Sequence, residues 1–195
     1  DQYLVTMELQ EIPAAILFTK EDLDRGELAD YRSRYETAGY PVFSVSAENG
    51  SGLEALRAYL AGKTTVLAGP SGVGKSTLTN LLCPTANMET GELSRKNLRG
   101  KQTTRHTELF CLGENSYLLD TPGFTAVEVW GDTEAFKQAF PEIRALEGQC
   151  RFTGCNHRAE PDCAVKAAVA RGEIAASRYE SYRKMAEESA ERRKY

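Results

Sequence analysis

A chain of 195 residues with 41% hydrophobic and 27% charged positions can bury one full core and a small second one. Its apolar runs fall short of the ~18 residues that a membrane span needs, the N-terminal residues lack a signal-peptide pattern, and a net charge of -4 excludes a uniformly basic, nonspecific nucleic-acid binder. Five cysteines, three of them crowded between residues 150 and 163, fit metal binding in a reducing compartment better than a disulfide framework, so a cytoplasmic location is expected; a monomeric state and no membrane contact are expected as well.

The apolar runs "IPAAILF" (12–18), "VFSV" (42–45) and "TTVLAG" (64–69) read as strands. Between them, "DLDRGELADYRSRYETAG" and "GSGLEALRAYLAG" carry apolar residues at helical spacing. This alternation predicts an α/β fold with right-handed crossovers and a mostly parallel sheet. "STLTNLLC" reads as a helix, followed by a polar stretch from 85 to 105. "TELFCL" (107–112) and "SYLLD" (116–120), joined by "GEN", predict a β-hairpin. From Phe140 onward no strand is expected, only a cysteine-rich loop and the helical segments "AVKAAVARG" and "ASRYESYRKMAEESAERRKY". The boundary falls near 132–140, giving an α/β domain over 1–135 and a small α-helical domain over 136–195.

"GPSGVGKST" fits the phosphate-loop pattern G-x-x-x-x-G-K-[ST], after a strand and opening a helix. Gly69, Pro70, Ser71, Gly72, Val73, Gly74, Lys75, Ser76 and Thr77 are therefore nucleotide-binding candidates. The glycines allow backbone N–H groups to turn around the phosphates, and Lys75 brings its ammonium to the β and γ oxygens. The Ser76 hydroxyl is the expected Mg2+ ligand. Asp120, ending an apolar strand before "TPG", is placed to hold Mg2+ through water, with the Gly123 N–H available to the γ phosphate.

Upstream, "TKED" supplies Thr19, Lys20, Glu21 and Asp22 at the end of another strand. An aspartate carboxylate accepts from both N1–H and N2–H of guanine, a pair that adenine does not offer, and a lysine stem can lie over the base. Asp22 is thus the candidate specificity residue and Lys20 the packing one. Ser46 and the Ala47 N–H, after the next strand, are candidates for the guanine O6.

Three thiols and an imidazole, Cys150, Cys155, His157 and Cys163, make a complete tetrahedral set for one structural zinc per chain. With no open coordination position, metal catalysis is not expected there. The surrounding loop has too few apolar residues to fold alone, so the metal would supply folding energy. Cys83 and Cys111 are expected in the core.

The order TKED, SA, GPSGVGKS, Thr103 and Thr104, DTPG and then the Cys/His cluster resembles the RsgA (YjeQ) family of circularly permuted GTPases that depend on the small ribosomal subunit. The resemblance implies GTP hydrolysis coupled to binding and release of the small (30S) subunit and its rRNA. It also implies a switch I segment in which Thr103 or Thr104 closes on Mg2+ and the γ phosphate. Which threonine reaches the metal is open, although Thr104 is the candidate ligand beside Ser76. Thr19 stands where the common pattern has Asn, and Arg105 where a third Thr is frequent. The family further implies an OB-fold upstream of the first helix.

Permuted order does not disturb such a site, because ligand loops project from strand ends and are placed by space rather than by chain order. It does connect switch II directly to the metal-binding domain. Phe124 stands where many GTPases place a water-orienting Gln, so slow intrinsic turnover is expected. Basic residues in "RKNLRGKQTTRH", and less so in "ERRKY", are candidates for rRNA phosphates. Two other readings share parts of this pattern. A P-loop ATPase or small-molecule kinase would give TKED no role, and a zinc-containing RNA-binding module would bind RNA equally well with any nucleotide.

Overall fold

The computed structural model describes residues 1–86, 88, 108–120, 129 and 131–192. Thr103, Thr104, Gly123, Phe124 and the basic switch I cluster lie outside the described residues, as does the end of "ERRKY" beyond Arg192. The chain divides into two compact units. One comprises Leu17–Asp24 and Phe43–Ala126, the other Asp1–Ile16, Arg25–Val42 and Val127–Tyr195.

The first unit is built on short strands. β1 (Ile16–Thr19) neighbours β2 (Val42–Val45), and β3 (Thr64–Leu67), β5 (Ser116–Asp120) and β4 (Glu108–Gly113) form a sheet in the order β3-β5-β4. β3 runs parallel to β5, with Leu67 opposite Asp120, so both strands end at the same edge of the sheet. β4 and β5 form the expected hairpin, but the turn is shorter than "GEN". Gly113 still pairs with Ser116, and Asn115 takes a left-handed φ of 54° that asparagine tolerates in a tight turn.

Helices α3 (Leu53–Leu60) and α4 (Lys75–Leu82) each bring an i, i+4 pair to one face, Leu56 with Leu60 and Leu78 with Leu82. These pack with Val45 and Leu118 into a single cluster. Arg57 holds the end of α4 by donating to the carbonyls of Leu81 and Leu82, two of the acceptors that a helix leaves without internal partners.

Cys83 is buried as expected, whereas Cys111 is exposed. The register explains the difference. Phe110 pairs with the buried Leu118, so Cys111, one residue on, points to the opposite face.

In the second unit, α1 (Gln2–Leu9) packs on α5 (Thr133–Gln138), and α5 on α6 (Pro141–Arg144) and α8 (Ala176–Arg192). Asp132 caps α5 by accepting from the Ala135 N–H at 2.8 Å. The core gathers Val5, Phe136, Phe140, Ile143 and Tyr182, together with Val165 and Ala168 of α7 (Ala164–Ala170). α2 (Leu28–Thr37) belongs to the same unit.

The buried stripe of α8 includes a charge, Arg178, which is 1% exposed. Its guanidinium donates from Nε and Nη2 to both Glu142 carboxylate oxygens at 2.7 and 3.2 Å and from Nη1 to Asp1 at 2.8 Å. The rings of Phe140, Tyr40 and Tyr35 lie 4.6, 5.6 and 5.8 Å from its central carbon. No helix among the described residues is long and apolar enough to cross a membrane.

Candidate functional site

The phosphate loop follows β3 and opens α4 at Lys75, with Gly74 as the N-cap. Gly72 and Gly74 have φ of 81° and 96°, a region that side-chain-bearing residues rarely enter, and this lets the loop backbone coil tightly before α4. Lys75 Nζ donates to the carbonyls of Gly69 and Pro70 at 2.7 and 2.9 Å, which places the ammonium over the loop. Ser76 and Thr77 occupy the first turn of α4. Asp120 is placed by its backbone at the end of β5, beside the end of β3 from which the loop departs.

The segment at the end of β1 reaches the phosphate loop, and the segment after β2 reaches that first segment. Thr19 Oγ1 donates to the carbonyl of Val73 at 2.6 Å, and Lys20 Nζ donates to that of Gly72 at 3.1 Å. Lys20 itself takes a left-handed backbone conformation, φ 60° and ψ 42°, which turns the chain from β1 into a 3-10 turn over Glu21–Leu23. Ser46 is fully buried and donates its hydroxyl to Asp22 Oδ1, while its oxygen receives the N–H of Glu48 at 3.2 Å. The Ser46 side chain thus holds Asp22, and Ala47 beside it is exposed.

Glu21 carries an interaction that sequence reasoning did not find. One carboxylate oxygen accepts from Ser44 at 3.0 Å and the other from Ser51 at 2.7 Å. The only available signal was the presence of two serines flanking Ser46, which is too common a pattern to single out.

In the other unit the four cysteine and histidine donors meet. Their ligand atoms all lie within 4.8 Å of one another, so Cys150, Cys155, His157 and Cys163 can hold a metal ion. A tetrahedral ion with metal–sulfur bonds of about 2.3 Å and a metal–nitrogen bond of about 2.0 Å requires edges of roughly 3.5 to 3.8 Å. Cys150 and Cys163 sulfurs are 3.9 Å apart, and His157 Nδ1 lies 3.5 and 3.4 Å from them. The donor set suits zinc, and these three separations match tetrahedral edges.

Burial favours the neutral ring of His157, the form that ligates, and pushes the Cys155 thiol up to about 11, so an ion must displace a proton there. The loop is braced from outside the ligand set. Glu160 accepts the N–H groups of Asn156 and Arg158 at 2.9 and 2.8 Å, and these bonds, the Asn156 one foremost, draw its carboxyl down to about 2. Tyr179 and Tyr182 of α8 donate their hydroxyls to the carbonyls of His157 and Asn156 at 2.5 and 2.9 Å. Burial raises both phenols above their ordinary range, which keeps them donors.

Residues 1–130 match the family model described as RsgA GTPase. The chain is 43% identical over its whole length to the "Small ribosomal subunit biogenesis GTPase RsgA" of Agathobacter rectalis, of which it spans 65%. It is likewise 43% identical over its whole length to the protein of that name from Alkaliphilus metalliredigens, of which it spans 68%. Among solved structures, YjeQ from Thermotoga maritima superposes with a TM-score of 0.75 at 38% identity, covering 97% of this chain and 64% of that one. YloQ, described as a circularly permuted GTPase, gives 0.75 at 34% identity, covering 98% of this chain and 62% of that one.

Proposed function

The chain belongs to the RsgA GTPase family, and from that membership we propose that it binds GTP and GDP, hydrolyses GTP, and couples hydrolysis to binding and release of the small (30S) ribosomal subunit during late maturation. The observation that carries this reading is the convergence of three separate sequence segments. The Thr19 hydroxyl and the Lys20 ammonium, from the base-reading turn, bond to the carbonyls of Val73 and Gly72 in the phosphate loop, and Ser46 holds Asp22. An ATPase would give TKED no role in reading the base.

In this reading Asp22 accepts the guanine N1–H and N2–H, Lys20 packs against the base, and Ala47 offers its N–H to O6. Lys75 and the backbone of residues 69–77 hold the phosphates. Ser76, with Thr103 or Thr104, would hold Mg2+, with Asp120 behind it through water. That ion, when bound with the nucleotide, would supply positive charge to the phosphates. The Gly123 N–H reaches the γ phosphate. Cys150, Cys155, His157 and Cys163 hold one structural zinc. The division into a GTPase domain over 1–135 and a zinc domain over 136–195, a cytoplasmic location, a monomeric state and contact with rRNA belong to the same proposal.

Hydrolysis of GTP by the purified protein, with and without small subunits, tests it. Subunits should raise kcat by at least about tenfold, about 1.4 kcal/mol of barrier, because the sequence has Phe124 where many GTPases place a water-orienting Gln. Lys75→Ala should abolish both rates. Equal rates with and without subunits would remove the ribosome from the proposal, and a preference for ATP would remove the GTPase.

A further inference from the structure

We propose that Glu21 is a positioning residue for guanine recognition, a strut that sets the orientation of Asp22 by tying the base-reading turn to two fixed hydroxyls. This rests on the reading of residues 19–22 as the guanine-reading turn. Asp22 is exposed and sits in a 3-10 turn of three residues, entered through the left-handed Lys20. One such turn has little rigidity of its own. Ser46 fixes one Asp22 oxygen, but a single hydrogen bond leaves the carboxylate free to rotate about it.

Glu21 supplies the missing constraint. Its two oxygens accept from Ser44, within β2, and from Ser51, in the loop after it, at 3.0 and 2.7 Å. These anchors are themselves held. Ser46 N–H donates to the Ser51 carbonyl at 3.2 Å and Gly50 N–H to the Ser46 carbonyl at 3.0 Å, closing the loop on itself. The backbone at Gly52 passes so near β2 that an added Cβ would lie 1.9 Å from the Ser44 carbonyl oxygen. The turn is therefore pinned at adjacent residues, Glu21 to two hydroxyls and Asp22 to a third. Reading both N1–H and N2–H requires the Asp22 carboxylate to lie in the plane of the base, and two adjacent pins are what hold it there.

A strut and a merely stabilising contact differ in their effect on base discrimination. Dissociation constants for GDP and for inosine diphosphate, which lacks the 2-amino group, are measured for the full chain, for Glu21→Ala, and for the Ser44→Ala/Ser51→Ala pair. Asp22→Ala sets the floor of discrimination. Glu21→Ala should cut the preference for GDP over inosine diphosphate by about tenfold, about 1.4 kcal/mol, with inosine diphosphate binding changed by less than about threefold. The serine pair should cut it similarly, and the triple variant should be no worse than Glu21→Ala alone, because all three act through one connection. The serine pair also answers the question if Glu21→Ala fails to fold. An unchanged ratio, or equal losses for both nucleotides, overturns the strut. A wild-type chain that binds both nucleotides equally overturns instead the assignment of residues 19–22 to the base.

Discussion

The buried charge on α8 offers the sharpest quantitative test of how the unit carrying the Cys/His cluster is held together. Replacing Arg178 with Met keeps an unbranched stem but ends it where the guanidinium begins, so the charge and all three hydrogen bonds are lost together. Glu142, whose side chain is 5% exposed, then loses both of its hydrogen bonds and its counter-charge. Asp1 is better placed, since its side chain is 14% exposed and reaches solvent. Stripping one partner from a buried pair costs about 3 to 5 kcal/mol, and the loss of the ring contacts lies within that range. For a chain of this size that corresponds to a fall in Tm of roughly 6 to 20 °C. Pairing Arg178→Met with Glu142→Leu removes the uncompensated carboxylate, so the double variant should return to within about 1 to 2 kcal/mol of wild type. Urea unfolding followed by far-UV circular dichroism reads all three proteins. If the single variant lies within about 1 kcal/mol of wild type, or the double variant is less stable than the single, the pair does not carry the energetic role assigned to it.

The metal cluster predicts that purified protein holds one zinc per chain by elemental analysis, and that Cys155→Ala or a strong chelator removes it and opens residues 150–163 to proteolysis. Asp22→Asn should weaken GTP binding and improve xanthosine triphosphate binding, measured by competition, because an amide donates to the 2-oxo group that a carboxylate repels. Gly52→Ala should destabilise the chain by roughly 2 to 4 kcal/mol in thermal unfolding. Its methyl would meet a backbone carbonyl that cannot swing away, at a φ of 72° that already disfavours alanine.

What the sequence made legible was local. The phosphate loop, the hairpin and the cysteine spacing are each written in contiguous residues whose chemistry is nearly self-explanatory, and each forms within its own unit as the sequence predicts. Contacts between remote segments were not legible. Val5, near the start of the chain, packs into one cluster with Phe136 and Tyr182, and nothing in the octapeptide "QYLVTMEL" names such a partner. Arg178 was hidden for a related reason. A charged residue in a charged helix reads as solvated, and only the meeting of Glu142, Asp1 and three rings gives it reason to be inside. Cys111 failed on parity, because an apolar strand with one solvent-facing side looks much like one buried on both. The part played by Glu21 needed two hydroxyls from another strand and its loop to become visible.

The grip of α8 on the metal loop separates shape from surface. Tyr179 and Tyr182 hold the carbonyls of His157 and Asn156, and Glu160 holds backbone N–H groups, so these three side chains fasten the loop through its main chain. Main-chain atoms are common to every residue. At the tip between Cys150 and Cys155, Phe152 stands 45% exposed beside Arg151 and takes no part in these three fastenings. Such a loop works as a mount whose outward face at Phe152 is separate from its frame.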